Sequence, residues 1–444
     1  MTEIERLHLQ GFKPIENLEV SAKSINIITG RNNTGKTSFL EGVDLAFNPQ
    51  QIERFKSELG TVVNAKSDQA EISATFYDNG QTDINQFGDN PNIDSPKNRR
   101  LIIHNPTDRE AVEIFNKNIS NILEVNEDYP VLAPTHYFSS SEEGNEDEFL
   151  VKIQDALQEA ITEFSNEEII PDTKENSVIM GVDGESYAYS CFREFYPPIR
   201  RRLVQAAYNK VAESMEKVPR NPETEEEEER REFILNQIDN RLAPRFGADQ
   251  FVDETPPSAD GVQFIDASSL ESADVDMNKE NAAVRVSDIE DYLIESDILE
   301  NLEDFSFDKL VFKEEGEKYE IPYSYMGDGF RTLVGILWEV LAKEHRGNVL
   351  LLEEPGVHMH PGYIENLLGY LVKIIRRDDL QVFLTTHSID LIEGFFSDNI
   401  QSEEEDFLKD NFQVIQMTDP VSRTLDYEQA QDEIENLNFD LRGV

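Results

Sequence analysis

The segment Gly30-Arg31-Asn32-Asn33-Thr34-Gly35-Lys36-Thr37-Ser38 constrains the fold of this chain more than any other stretch. It follows the apolar run Ile25-Asn26-Ile27-Ile28-Thr29 and precedes Phe39-Leu40-Glu41-Gly42-Val43, which reads as the start of a helix. A strand, a glycine loop and a helix in that order, ending in Gly-Lys-Thr-Ser, form a phosphate-binding loop. Its glycines let backbone N–H groups curl round phosphate oxygens, and the helix N-terminus adds partial positive charge. Lys36 is expected to reach the β- and γ-phosphates, and Thr37 to place its hydroxyl on Mg²⁺. Gly30, Asn32, Asn33, Thr34, Gly35, Lys36, Thr37 and Ser38 are the expected nucleotide contacts.

With 444 residues, the chain has room for two or three domains, or for one domain with a large insertion. Asp and Glu total 90 against 40 Lys and Arg, a formal net charge of −50 that repels itself at ordinary salt. At molar salt the screening length falls to about 3 Å, and crowded surface carboxylates then serve hydration instead of opposing the fold. A halophilic cytoplasm is therefore the expected setting. The other explanation, a basic partner, calls for concentrated acidic blocks; residues 225–229 form one, but acids are spread along the whole chain. Cys191 stands alone, which rules out an intramolecular disulfide, and no Cys/His cluster suggests zinc. The N-terminus lacks a basic region followed by an apolar core, and no apolar run approaches the ~20 residues of a membrane span. A cytoplasmic protein without a membrane partner is expected.

The periodicities divide the chain in three. Residues 1–147 read as a lobe carrying the P-loop, with strands at 4–9, 18–20, 72–76, 101–104 and 131–137. Residues 148–300 read as a helical insertion. It has helices at 148–164 and 192–217, then Pro219 and Pro222, a second hairpin helix at 225–242, an acidic loop or linker over 251–281, and a short helix at 287–296. Residues 301–444 alternate: strands at 310–312 and 319–321, helix 330–345, strand 349–352, helix 362–376, strand 382–386, helix 388–396. Such alternation predicts an α/β fold with a largely parallel sheet, split by the insertion.

Two strand ends carry the chemistry. The run 349–352 leads into Glu353-Glu354-Pro355 and then His358-Met359-His360-Pro361, which puts two carboxylates at the carboxyl edge of the sheet beside the P-loop. There Glu353 would hold the Mg²⁺ shell through water and Glu354 would orient the attacking water; the plain alternative is a pair of solvated acids. The next strand runs into Thr385-Thr386-His387-Ser388. His387 alone would read as a packed or capping residue, but its place after the acidic strand suits a γ-phosphate contact. Upstream, Ser324-Tyr325-Met326-Gly327-Asp328-Gly329-Phe330-Arg331 opens a helix with glycines, and so offers a second phosphate-facing helix N-terminus.

Taken together, the opening Leu9-Gln10-Gly11-Phe12-Lys13-Pro14, the P-loop, the helix-opening glycines, Leu352-Glu353-Glu354-Pro355 with His358-Met359-His360-Pro361, and Thr386-His387-Ser388 resemble the ABC-type ATPases of the RecF, SMC and OLD (overcoming lysogenization defect) group, and the OLD-like branch most nearly. The resemblance covers residues 1–47 and 320–396. It implies a P-loop NTPase head that binds ATP and Mg²⁺, with Glu354 and His387 catalytic and Thr37 and Glu353 on the metal. Two such heads pair head to tail, so that Gly327, Gly329 and Arg331 would meet the partner's ATP. This chain departs from the group at three points. Gly327 stands in place of the signature serine, Glu353 stands in place of the usual Asp, and no glutamine loop is assignable. The group's TOPRIM nuclease domain is not expected, since residues 399–444 are too few for one.

The leading expectation is an ATP-gated dimeric switch in DNA repair or antiviral defence, its insertion serving dimerisation, sensing or a separate nuclease or toxin effector. The alternatives are an ATP-dependent scaffold that sequesters a toxin or nuclease without significant turnover, and the energy subunit of a membrane transporter. The long helical insertion argues against the transporter. Nucleic acid stays open as a partner through Lys97, Arg99 and Arg100 and through Arg200, Arg201 and Arg202, which in so acidic a chain also read as salt-bridged arginines.

Overall fold

The computed structural model describes residues 2–78, 96–126, 146–164, 166–215, 218–244, 249–267, 270, 281–296, 298–341, 349–397, 400–418 and 422–435. In chain order, β1 (Thr2–Phe12) and β2 (Ile15–Ser21) form a hairpin, β3 (Ile25–Gly30) enters the glycine loop and α1 (Lys36–Phe47) leaves it, followed by β4 (Ala70–Asp78) and β5 (Lys97–His104). The middle of the chain holds α2 (Asp108–Val125), α3 (Glu146–Glu163), α4 (Asn166–Glu175), β6 (Ser177–Val182), β7 (Glu185–Cys191), α5 (Phe192–Ser214), α6 (Glu225–Arg241) and β8 (Asp249–Phe251). Next come β9 (Val262–Asp266), α7 (Ala282–Glu295), β10 (Leu302–Phe305), β11 (Lys309–Glu314), β12 (Glu317–Pro322), α8 (Asp328–Val340) and β13 (Val349–Glu353). The last elements are α9 (Pro361–Asp378), β14 (Gln381–Thr385), α10 (Ile389–Gly394), α11 (Ser402–Asn411), β15 (Phe412–Met417), β16 (Arg423–Asp426) and α12 (Tyr427–Glu435).

Two compact units result, one from residues 1–50, 64–101 and 257–444, the other from 51–63 and 102–256. The first is built on a six-stranded sheet ordered β16-β15-β3-β14-β13-β9. Its five inner and far strands run parallel, and β16 is antiparallel at one edge. β3 and β14 are buried along their whole length, as strands covered on both faces must be. One face packs α7, α8, α9 and α10 over Leu333, Ile336, Leu337, Leu368 and Leu371. On the other lies α1, whose Phe39 ring sits 5.9 Å from Phe383 of β14. The far side of α1 meets the antiparallel strands β1 and β4: a Cβ on Gly42 would lie 2.8 Å from Leu9, so only glycine lets helix and sheet come this close.

Amide side chains tie the hairpin to the parallel sheet near the strand starts. Asn26, fully buried, accepts from Lys23 N (2.8 Å) and from Gln413 Nε2 (2.7 Å), and donates to Lys23 O and Val382 O. Gln381 accepts from Ile4 N and donates to Ile4 O, both at 2.8 Å, where the β1–β4 register shifts between Ile4 and Arg6. Gln413 also donates to Ser21 O. Each amide substitutes for a ladder bond that neighbouring strands do not supply.

The second unit has its own aromatic core of Phe115, Phe192, Phe195 and Tyr196, with Ile199, Leu203 and Ile238. Helices α2 and α6 begin with capping boxes, Thr107 with Glu110 and Thr224 with Glu227. Arg200 of α5 bonds Asp239 of α6 at 2.6 Å, and Tyr196 Oη donates to Leu242 O, so the expected helical hairpin closes. The hairpin β6–β7 turns on Asp183 and Gly184, both at positive φ.

Several sequence expectations change. The stretch 251–281, expected as a linker, contains β9, which pairs with β13 over Val349↔Val262 to Glu353↔Asp266; this partner lies far away in sequence and outweighs the polar neighbourhood. Residues 108–125 are helical, and the hairpin at 177–191 was not anticipated. The second unit thus begins and ends earlier than the insertion read at 148–300. The strand expected at 131–137 lies outside the described residues. Asn26→Ala is expected to leave one amide hydrogen of buried Gln413 without its acceptor, since the other goes to Ser21 O, and so to cost about 1–3 kcal/mol, measurable as a lower urea midpoint with an unchanged slope.

Candidate active site

The P-loop takes its shape from what presses on it. Gly30 has φ +147°, and a Cβ there would lie 2.4 Å from Met417 O at the end of β15. Gly35 has φ +96°, and its Cβ would meet Ile15 of the β1–β2 turn at 2.9 Å. Both positions therefore exclude side chains. Asn33 adopts the left-handed conformation with φ 65°, and the Thr34 hydroxyl donates to Arg31 O at 2.8 Å, closing the turn. Asn32 and Asn33 are exposed and Ser38 is buried under the helix start. Lys36 is only 8% exposed; its ammonium donates to Gly30 O (2.9 Å) and Arg31 O (3.0 Å). Burial lowers its pKa, and the negative charge of Glu354 partly offsets that.

The parallel register carries the acids to the same edge. Glu353 ends β13 in line with Thr385 of β14, and Thr385 in turn lies in line with Ile28 of β3. Thr37 Oγ1 donates to Glu353 Oε1, so the first turn of α1 is bonded to the end of β13. Burial raises the Glu353 pKa, the bond from Thr37 lowers it, and the charges of Asp266, Glu41 and Glu354 raise it further. Glu354 is held at φ 47°, a strained conformation for a non-glycine residue. Its N–H donates to Thr385 O at 3.1 Å, and its Oε2 meets His387 Nδ1 at 2.9 Å and the His387 backbone N at 3.3 Å. Glu354 and His387, read from separate strands, are thus direct partners. His360 caps α9 by accepting from Gly362 N.

Helix α8 starts at Gly327, whose φ of −65° and ψ of 156° suit any residue and whose Cβ position faces open space. Two residues on, a Cβ at Gly329 would lie 2.4 Å from His358 O, so the helix start is pressed on the loop after β13. Arg331 pairs with Asp328, and Tyr325, just before the helix, is 80% exposed. The motif reading gives no role to Asp266, Glu41, Thr385 or Met417. Of these, Thr385 sat within a quoted motif and Glu41 one turn beyond Thr37, whereas Asp266 and Met417 carry no local signal.

A parallel sheet with a P-loop and two carboxylates at its carboxyl edge defines a P-loop ATPase. The AAA ATPase domain family model matches residues 3–392, and the chain belongs to that family. It is 33% identical over 70 residues to the uncharacterized protein MJECL11 of Methanocaldococcus jannaschii, a match that covers 15% of this chain and 58% of that relative. Among solved structures, it is similar to the Smc head domain with an extended coiled coil bound to the C-terminal domain of ScpA from Pyrococcus furiosus (14% identity, TM-score 0.40, 99% of this chain and 100% of that one). It is likewise similar to the SMC head domain from Thermotoga maritima (10% identity, TM-score 0.39, 96% and 98%). Among the described residues, no helix is long and apolar enough to cross a membrane.

The two glycines of α8 should respond differently to substitution. Gly327→Ala is expected to fold within about 1 kcal/mol of wild type, whereas Gly329→Ala, which drives a Cβ into the His358 carbonyl, should lower the melting temperature by about 2 °C for each kcal/mol lost in a unit of this size. Equal melting temperatures would refute the close approach.

Proposed function

We propose that this ATPase is an ATP-gated switch whose two heads pair around bound ATP. One observation carries the reading: Lys36 and Thr37 of the P-loop share one sheet edge with Glu353, Glu354 and His387, and Thr37 is bonded directly to Glu353. Lys36 supplies fixed charge to the β- and γ-phosphates, and the amides of residues 32–38 wrap them. The Thr37 hydroxyl and the Glu353 carboxylate are the hard oxygen donors that suit Mg²⁺, a cation held by one or two protein groups together with phosphates and water. Bound Mg²⁺ would neutralise phosphate charge. Glu354 orients the attacking water, and His387, bonded to it, fixes its carboxylate and faces the γ-phosphate.

The open N-terminus of α8, with Gly327, Gly329 and Arg331, is the surface offered to the partner's ATP in a homodimer or higher homo-oligomer. With glycine in place of the signature serine, the contact would come from backbone N–H groups. The second unit, which has a core of its own, is the seat for sensing or for a separate nuclease or toxin effector in DNA repair or antiviral defence of OLD-like type. Arg200, Lys210, Arg230 and Arg231 there pair with Asp239, Glu159 and Glu163, Glu226 and Glu228, which weakens the case for nucleic acid at those positions. The dispersed acidity supports a salt-rich cytoplasm.

Lys36→Ala is expected to abolish nucleotide binding measured by calorimetry; unchanged affinity would overturn the P-loop assignment. Glu354→Gln should bind ATP but turn it over at least ~100-fold more slowly, and light scattering in molar salt should then show its mass double with ATP and Mg²⁺. Turnover at the wild-type rate would remove Glu354 from the water-orienting role.

A further inference from the structure

We propose that Asn64 is a positioning residue of the ATP site, acting through the β1–β2 turn on the glycine loop and so setting how tightly ATP is held. This rests on the P-loop reading above. The β1–β2 hairpin closes with Phe12 opposite Ile15, which leaves Lys13 and Pro14 as the two residues of its turn. Lys13 is held at φ 49°. A two-residue turn with positive φ at its first position and proline's negative φ at its second ordinarily takes glycine first. Lysine there is strained, and keeps that conformation only while its surroundings hold it.

Two side-chain contacts hold it. Asn64 Nδ2 donates to Lys13 O at 2.6 Å, and Lys13 Nζ donates to Glu41 Oε2 of α1 at 2.9 Å. The Asn64 amide is itself fixed in orientation: its Oδ1 accepts from Lys66 N at 2.9 Å, which turns Nδ2 towards Lys13. The Asn64 backbone is bonded on both sides, its N–H to Gly11 O and its carbonyl to Ser67 N, each at 2.8 Å. Lys66 Nζ also reaches Glu16, next to Ile15. A Cβ on Gly11 would lie 2.5 Å from Gln69 O, so the segment 64–69 is pressed along the turn.

The turn in its own place forms a wall of the glycine loop. A Cβ on Gly35 would meet Ile15 at 2.9 Å and Pro14 at 3.2 Å, and Gly35 directly precedes Lys36. Glycine leaves a given backbone conformation more readily than any other residue, so this wall restrains the amides that wrap the phosphates. Amides already in place bind without the cost of ordering them. Without the Asn64 donor, Lys13 relaxes from its left-handed conformation, Pro14 and Ile15 withdraw, and ATP has to order the loop itself. Glu354 and His387 follow β13 and β14 and make none of these contacts, so the effect falls on KM and not on kcat.

The test is steady-state ATP hydrolysis by the full chain in molar salt with Mg²⁺. Asn64→Asp and Asn64→Ser keep an oxygen for Lys66 N and lose the amide donor; each folded variant, checked by its urea midpoint, should show KM raised about 10-fold with kcat unchanged. Glycine at position 13 removes the strain that Asn64 opposes. The double variant Lys13→Gly/Asn64→Asp should therefore have the KM of Lys13→Gly alone, a rescue that a merely structural asparagine would not produce. A wild-type KM in a folded Asn64 variant would overturn the proposal. So would a fall in kcat at unchanged KM, or a KM increase that persists in full in the Lys13→Gly background. Hydrolysis that survives Lys36→Ala at wild-type KM would bring down the P-loop reading itself, an outcome separate from the behaviour of the Asn64 variants.

Discussion

β3 is hydrogen-bonded along its length to β14 on one side and β15 on the other, and each functional group of the site is placed by reference to it. The ladder to β14 brings Thr385 level with Ile28, the next ladder brings Glu353 level with Thr385, and the last brings Asp266 level with Glu353. A slip of one residue in any of these registers would turn every paired side chain to the opposite face, so burial of the strands protects the geometry of the edge. Helix α1, squeezed between the two sheets at Gly42, fixes the remaining coordinate, the height of Lys36 and Thr37 above the strand ends.

The edge is assembled from opposing electrostatic demands. Lys36 is buried against two carbonyls although burial disfavours its charge, and Glu353 sits among like charges that disfavour its own. Glu354 adopts a left-handed backbone that a bulky residue avoids, and its bond to His387 keeps it there. Strain and unfavourable charge in one place are the pattern of a site organised for a charged ligand and not for the stability of the empty fold.

What could be read in the sequence was what local chemistry encodes. The glycine spacing at 30 and 35, the apolar runs before Glu353 and Thr385, and the amphipathic helices α5, α8 and α9 all emerge where periodicity placed them. The Glu354–His387 contact was half legible, since each residue was singled out but nothing in the sequence says that they touch. β9 escaped because five residues set among Ser, Asp and Pro have no periodicity strong enough to compete, and their stability comes from β13, some way along the chain. Asp266 was lost with it. Gln381 and Gln413 were illegible for a related reason: a buried glutamine looks like any surface glutamine until its partners are known.

The closing of Gly30 by Met417 has a consequence for how the protein comes into being. Asn26 and Gln413 are bonded across 387 positions, and β14 is nearly as far along the chain, so the P-loop strand leaves the ribosome long before either of its neighbours exists. At about 5–20 residues per second the wait is on the order of 20–80 s, with both edges of an apolar strand unpaired for most of it. Loops of this length slow folding, and the nucleotide loop takes its final shape only once β15 has been made. A nascent chain stalled before β15 would carry the whole P-loop motif and still lack the carbonyl that shapes it.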